Sequence, residues 1–121
     1  MSLSVLAVDD SRTMRDMLNY ALTQEGITAH LAEDGLQGLE VLKDLNPDVI
    51  ITDINMPNLD GFGFIEAVRS QTRLRNIPIL VLTTESALEL KARARAAGAT
   101  GWIIKPFVAA KLVKALRMVS G

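Results

Sequence analysis

Four places in this sequence set chemically capable side chains at the end of an apolar run. Val5-Leu6-Ala7-Val8 stops at two adjacent acids, Asp9 and Asp10. Asp53 follows Val49-Ile50-Ile51 in "DVIITDINMP", Thr83 and Thr84 follow Ile79 to Leu82 in "ILVLTTES", and Lys105 follows Trp102-Ile103-Ile104 in "GWIIKPF". Two carboxylates about 4 Å apart repel by about 4 kcal/mol at an effective dielectric near 20, so a cleft that gathers three of them calls for a cation. Oxygen donors, with no cysteine and the single histidine His30, suit a hard ion, Mg²⁺ or Mn²⁺. Three acids, one divalent ion and Lys105 sum to about zero. Such a site is polarised and ready for a dianionic phosphoryl group, whose transferring oxygens the ion and Lys105 offset. A carboxylate can itself be the nucleophile and form an aspartyl phosphate.

These groups are far apart in sequence, so the elements between them must bring them together. Short apolar runs alternate with stretches of helical period. Ser11 caps a helix with Met14, Leu18, Ala21 and Leu22 on one face, ended by Gly26. A weaker strand, Ile27 to Ala32, precedes a helix carrying Leu36, Leu39, Leu42 and Leu45, closed by Asn46-Pro47. After Val49 to Ile51, a turn from Met56 to Gly61 leads into a helix with Phe62, Ile65 and Val68. Leu88, Ala92, Ala96 and Ala97 mark the next helix, ended by Gly98; Val108, Leu112, Leu116 and Val119 mark the last. Five strands and five helices in strict alternation predict an α/β fold, a doubly wound parallel sheet with helices on both faces. Continuously apolar strands fit burial on both sides. In such sheets ligands bind beyond the carboxyl ends of the strands, where the strand order switches, and every group named above leaves that edge.

The bulk numbers agree with a single soluble domain. The chain has 121 residues and 49% apolar residues, enough for a sizeable core. Net charge is −1, which argues against nucleic acid; no apolar run is long enough to span a membrane, and no basic-then-apolar leader begins the chain. A cytoplasmic protein is the expectation. The last helix runs almost to the end, so one domain over 1–121 without an output domain is expected. Charge is uneven: all 14 acids lie within residues 1–90, while Lys91, Arg93, Arg95, Lys105, Lys111, Lys114 and Arg117 are the only charged residues after them.

The Asp9-Asp10 pair, Asp53 within "DINMPNLDG", Thr83, and Lys105 within "KPF" together resemble the receiver domain of two-component response regulators, over the whole length, and most of all its single-domain chemotaxis type. Each motif alone is weak; in order, each at a strand end, they form a strong signal. The resemblance implies a flavodoxin-like (βα)5 fold with strand order 2-1-3-4-5. It implies Asp53 as phosphoacceptor, Asp10 as a direct Mg²⁺ ligand, Asp9 acting partly through water, and the backbone carbonyl of Asn55 as a further ligand. Lys105 would pair with the phosphoryl group, Thr83 would donate its hydroxyl to it, and the Lys105-Pro106 bond would be cis. Thr83 and an aromatic three residues before the lysine would form the switch. That aromatic is Trp102, where tyrosine or phenylalanine is usual. Asn55 and Glu85 match positions that tune phosphate loss.

By the same resemblance the phosphoryl donor is a sensor histidine kinase or a histidine phosphotransfer domain. The fourth helix, fifth strand and fifth helix form the face that meets a downstream protein, a flagellar motor switch or a kinase complex, and the protein is a monomer. The basic end would fit that face to an acidic partner helix or peptide; a merely solvated helical face is the plainer alternative. A phosphorelay intermediate without motor output is another reading. An aspartate-nucleophile phosphatase is a third, but its D-x-D first-strand pattern and cap domain have no counterpart here. Nucleotide binding lacks both G-x-x-x-x-G-K-[ST] and G-x-G-x-x-G. Asp60, before Gly61, reads as a helix cap, His30 as structural or exposed, and the five methionines as packing.

Overall fold

Residues 3–121 are described by a computed structural model, in which strands and helices alternate as the sequence predicts. The elements are β1 (Ser4–Val8), α1 (Arg12–Gln24), β2 (Thr28–Ala32), α2 (Gly35–Leu42), β3 (Val49–Thr52), α3 (Gly61–Arg69), β4 (Ile79–Thr83), α4 (Leu88–Ala97), β5 (Gly101–Ile104) and α5 (Ala109–Ser120). The five strands form one parallel sheet in the order β2-β1-β3-β4-β5. This is the doubly wound, flavodoxin-like arrangement expected from the sequence, and its order reverses between β1 and β3.

Strand period explains the two cores. Val5 and Ala7 point to one face, where Val49, Ile51, Leu80 and Leu82 join them under Leu18 and Leu22 of α1 and Leu112 and Leu116 of α5. Leu6 and Val8 point to the other, with Ile50 and Val81 beneath Phe64, Ile65 and Val68 of α3 and Ala94 of α4. The central strands are buried on both faces. The edge strands are not: β5 is half-buried or exposed throughout, as an edge with one neighbour must be.

Local chemistry sets the helix ends. The Ser11 hydroxyl accepts the Met14 N–H and the Asp60 carboxylate accepts the Gly63 N–H, both as N-caps. Gly26 (φ 72°) follows α1 and Gly98 (φ 118°) ends α4 in the left-handed region.

Three helix faces agree with expectation in part: Leu39, Leu42 and Leu45, then Ala97, then Leu112, Leu116 and Val119 pack on the cores as expected, and the remaining positions differ. α2 ends at Leu42, leaving Leu45 beyond it, and Leu36 is exposed; its inner face is Gly35, Gly38 and Leu42, with Gly38 set against the Phe64 ring. In α4 the buried side is Ala94, flanked by Leu90 and Ala97, whereas Leu88, Ala92 and Ala96 are exposed. Alanines occur on both sides of this helix, so its apolar period does not single out one of them. Val108 is an exposed N-cap of α5. A short 3-10 turn, Thr72–Leu74, which no periodicity marks, buries Leu74 before β4.

Candidate phosphoryl-transfer site

Register carries the site groups to one edge. Val8 pairs with Thr52 across β1 and β3, so the next residues, Asp9 and Asp53, emerge side by side. Thr83 pairs with Ile104, so Lys105 is the first residue beyond β5. The ladders continue one step past the strand ends: Asp53 N–H donates to Val8 O at 3.0 Å, Asp9 N–H to Ala32 O at 3.0 Å and Lys105 N–H to Thr83 O at 2.8 Å. The site is therefore bolted to the sheet by backbone, not hung on loops.

Asp9 and Asp53 are both buried, at 2% and 8% exposure, while Asp10 is exposed. Carboxylate oxygens of the three lie within 4.8 Å of one another. Lys105 stands between two of them: Nζ donates to Asp9 Oδ2 at 2.8 Å and to Asp53 Oδ2 at 2.6 Å. The other oxygen of each is held by backbone, Asp9 Oδ1 by Ser11 N–H at 2.9 Å and Asp53 Oδ1 by Ile54 N–H at 2.6 Å. Burial, the largest single influence on Lys105, pulls its pKa down; the hydrogen bonds and charges of Asp53 and then Asp9 together outweigh it and raise the ammonium above 10.5. Lys105 is thus firmly cationic. Three carboxylates and one ammonium leave a surplus of two negative charges, with Asp10 open to solvent. Clustered carboxylate oxygens, with no histidine nitrogen or cysteine sulfur among them, are the donor type that a hard ion such as Mg²⁺ takes.

The other expected residues form the rim. Thr83 is buried, and its hydroxyl accepts the Glu85 N–H at 3.3 Å. Asn55 Nδ2 donates to Glu85 Oε1 at 3.3 Å, and the half-buried Trp102 donates its indole N–H to Glu85 O at 3.0 Å. Glu85 therefore links the loop after Asp53 to the expected switch aromatic. The Lys105-Pro106 peptide is cis. Gly61 lies tight under the site: a Cβ there would stand 2.2 Å from Asp53 O and 2.8 Å from Ile54 Cα.

Two supports escape a reading of the sequence. Arg15 Nη1 donates to Asp9 O at 2.8 Å, a contact no spacing marks because most arginines on a first helical turn are solvated. Asp34 is buried and joins the loop after β3: Oδ1 accepts the Gln37 N–H at 2.8 Å, and Oδ2 accepts Asn58 Nδ2 at 2.7 Å. The Gln37 N–H and then the Asn58 amide hold this carboxyl below its ordinary 3.8, against the upward pull of burial and with help from the Leu36 N–H. Asp before a helix reads as an N-cap; its partner 24 residues away does not.

Relatives point the same way. The response regulator receiver domain pattern matches residues 5–117. Helicobacter pylori chemotaxis protein CheY1 is 39% identical over 122 residues, covering 98% of each chain. The solved structure of Vibrio cholerae chemotaxis protein CheY4 is 44% identical, covers 98% of this chain and 99% of its own, and superposes with a TM-score of 0.94. The chain also matches 105 residues of the H. pylori sensor histidine kinase CheAY at 40% identity, spanning only 13% of that longer protein. With its register-aligned acids and lysine, this chain belongs to the response regulator receiver domain family.

Proposed function

We propose that this chain is a Mg²⁺-dependent phosphoacceptor switch that takes a phosphoryl group onto Asp53 from the phosphohistidine of a sensor histidine kinase or histidine phosphotransfer domain. The observation that carries the reading is the Lys105 ammonium wedged between Asp9 and Asp53, with Asp10 within ligand distance of both acids. Asp9 and Asp10, with Asp53 and the Asn55 backbone carbonyl, would hold the Mg²⁺ (Mn²⁺ is an acceptable substitute). When bound, that ion supplies charge to offset the oxygens of the transferring group.

The chain's own residues do the rest. An Asp53 carboxylate oxygen attacks phosphorus, the P–N bond breaks, and the histidine imidazole leaves and takes up a proton. The product is an acyl phosphate, whose new negative oxygens become the partners of Lys105 in place of the carboxylate it held. The Thr83 hydroxyl turns from Glu85 N–H toward a phosphoryl oxygen. That movement frees the loop that Glu85 shares with Trp102 and so alters the α4–β5–α5 face. Asn55 and Glu85, linked at the rim, set how readily water reaches the acyl phosphate and hence the lifetime of the signal. The domain turns nothing over beyond its own phosphorylation and dephosphorylation.

Likeness to CheY1 and CheY4 favours a role in chemotaxis, with output through protein contact at a flagellar motor switch or kinase complex. On the helices and strand of that face Arg95, Lys111 and Lys114 are exposed, as are the apolar side chains of Leu88, Ile104 and Val108. This mixture suits an acidic amphipathic segment, and the affinity should fall as salt rises.

Incubation with a small phosphodonor and Mg²⁺ tests the central claim. An alkali-labile phosphate should appear on Asp53, and beryllofluoride should change Trp102 fluorescence beyond the change Mg²⁺ alone produces. A beryllofluoride response that survives Asp53→Ala rejects the assignment.

A further inference from the structure

The loop from Ile54 to Asp60 follows Asp53 and carries Asn55, which reaches Glu85 at the rim, but the loop's far side is fixed from outside the site. Its two ends are tied together, since Gly61 N–H donates to Ile54 O at 2.8 Å. Its far side is tied to the start of α2 at two points. Asn58 Nδ2 donates to Asp34 Oδ2 at 2.7 Å, and Gly35 N–H donates to Leu59 O at 3.2 Å. The contact leaves no slack, for a Cβ on Gly35 would stand 2.7 Å from Leu59 O. Asn58 is also the one non-glycine residue with positive φ (67°) among the described residues, so its backbone is held where an L side chain is uncommon. Only Asn55, Met56 and Pro57 lie between Ile54 and Asn58; Asn55 is tied to Glu85 at the rim and Met56 packs on the core, while the Asp34–Asn58 bond fixes the far end of the segment.

We propose that Asp34 and Asn58 form a positioning pair that holds the Asn55 segment in the geometry needed for divalent-cation binding, although neither touches the site. The inference rests on the reading of Asp9, Asp10 and Asp53 as a Mg²⁺ site. Asp34 does two jobs with two oxygens, capping α2 through Oδ1 and anchoring Asn58 through Oδ2. Substitution can separate them. Asp34→Asn keeps an oxygen to cap Gln37 N–H, because asparagine is as good a cap as aspartate, but turns a donor toward the Asn58 donor. Asn58→Gly removes the anchor and tolerates the positive φ. Combining Asp34→Asn with Asn58→Asp reverses donor and acceptor and restores one hydrogen bond.

The test is a Mg²⁺ titration followed by Trp102 fluorescence in the four proteins, with amide exchange of Gly35 and Gly61 measured without metal. Each of Asp34→Asn and Asn58→Gly should raise the Mg²⁺ Kd roughly tenfold, the lower end of what outer partners of metal ligands contribute. Gly35 exchange should quicken in both, and the reversed pair should recover most of each loss. Single variants that bind Mg²⁺ like the wild type overturn the proposal, as does a reversed pair no better than the singles. Wild-type protein that fails to bind Mg²⁺ removes the metal-site reading itself, and the positioning role falls with it; the metal-free exchange data still report whether the anchor holds the loop.

Discussion

Replacing Lys105 by methionine keeps an unbranched stem and removes the ammonium shared by two buried carboxylates. Nζ stands 2.8 Å from Asp9 Oδ2 and 2.6 Å from Asp53 Oδ2. At an effective dielectric of about 20, each contact represents about 6 kcal/mol of gross Coulomb attraction. All three groups give up hydration to make it, and that loss takes back most of the gain. What mutation reads is the state left behind: removing one member of a buried ion pair typically costs about 3–5 kcal/mol, since the survivor stays buried and unpaired. The Lys105 side chain retains 11% exposure and that of Asp53 10%, so water relieves part of this. We expect Lys105→Met to lose about 2–4 kcal/mol, or roughly 8–15 °C in Tm for a chain of this length. Asp53→Asn removes half of the uncompensated charge, so Lys105→Met should cost less in that background, with a coupling of about 1.5 kcal/mol or more. Urea unfolding at pH 7 in EDTA reads all four corners of the cycle. Mg²⁺ should then return part of the loss, because any ligand of the native state stabilises it. A Lys105→Met protein as stable as the wild type in EDTA, or a cycle without coupling, would refute the electrostatic account of the site.

The same lysine predicts an alkaline signature. Its folded pKa is raised above 10.5, so the native state holds the proton more tightly than the unfolded chain; this stabilisation is complete below about pH 10.5 and drains as pH rises through the folded value. The wild-type minus Lys105→Met stability difference should therefore stay flat to about pH 10.5 and shrink above it, a trend that urea midpoints will show. Asp34 gives the opposite limb. Its folded pKa lies below 3.8, so its contribution is present above about pH 3.8 and disappears as pH falls through the folded value; Asp34→Asn should flatten that limb in acid unfolding curves. Gly61→Ala places a methyl 2.2 Å from Asp53 O and should destabilise by about 2–4 kcal/mol, measured by thermal melting; an unchanged Tm would mean that α3 moves away freely. Ser11→Ala removes the cap on Met14 N–H and should lower stability by about 1 kcal/mol without abolishing Mg²⁺ binding, as urea unfolding and the Trp102 titration will report.

Short-range chemistry carried most of the fold into the sequence. Apolar runs of strand length, separated by helical period and punctuated by Ser11, Gly26, Asp60 and Gly98, determine alternating elements, because caps and periodicity act within a turn or two. Parallel alternation then forces every strand's carboxyl end to one edge. For that reason Asp9, Asp10, Asp53, Thr83 and Lys105 could be named as one group before any coordinates. The inner faces of α2 and α4 were legible only in part: Leu39, Leu42 and Leu45 and, on α4, Ala97 pack on the core as their period implies, but Leu36, Leu88, Ala92 and Ala96 do not. Gly35 and Gly38 reach the core through close backbone approach, and hydrophobic period counts side chains only; Ala94 looks no different from Ala92 until a sheet lies beneath one of them.

Tertiary structure alone decided which groups touch. That Lys105 bridges Asp9 and Asp53, leaving Asp10 to solvent, depends on register between strands up to 96 residues apart. That Glu85 receives both Asn55 and Trp102, and Asp34 receives Asn58, depends on loops meeting through hydrogen bonds of about 3 Å. Residue type and order determine which donors and acceptors are present. An angstrom-scale contact between distant loops is the sum of every packing choice in both cores, and no local pattern encodes it.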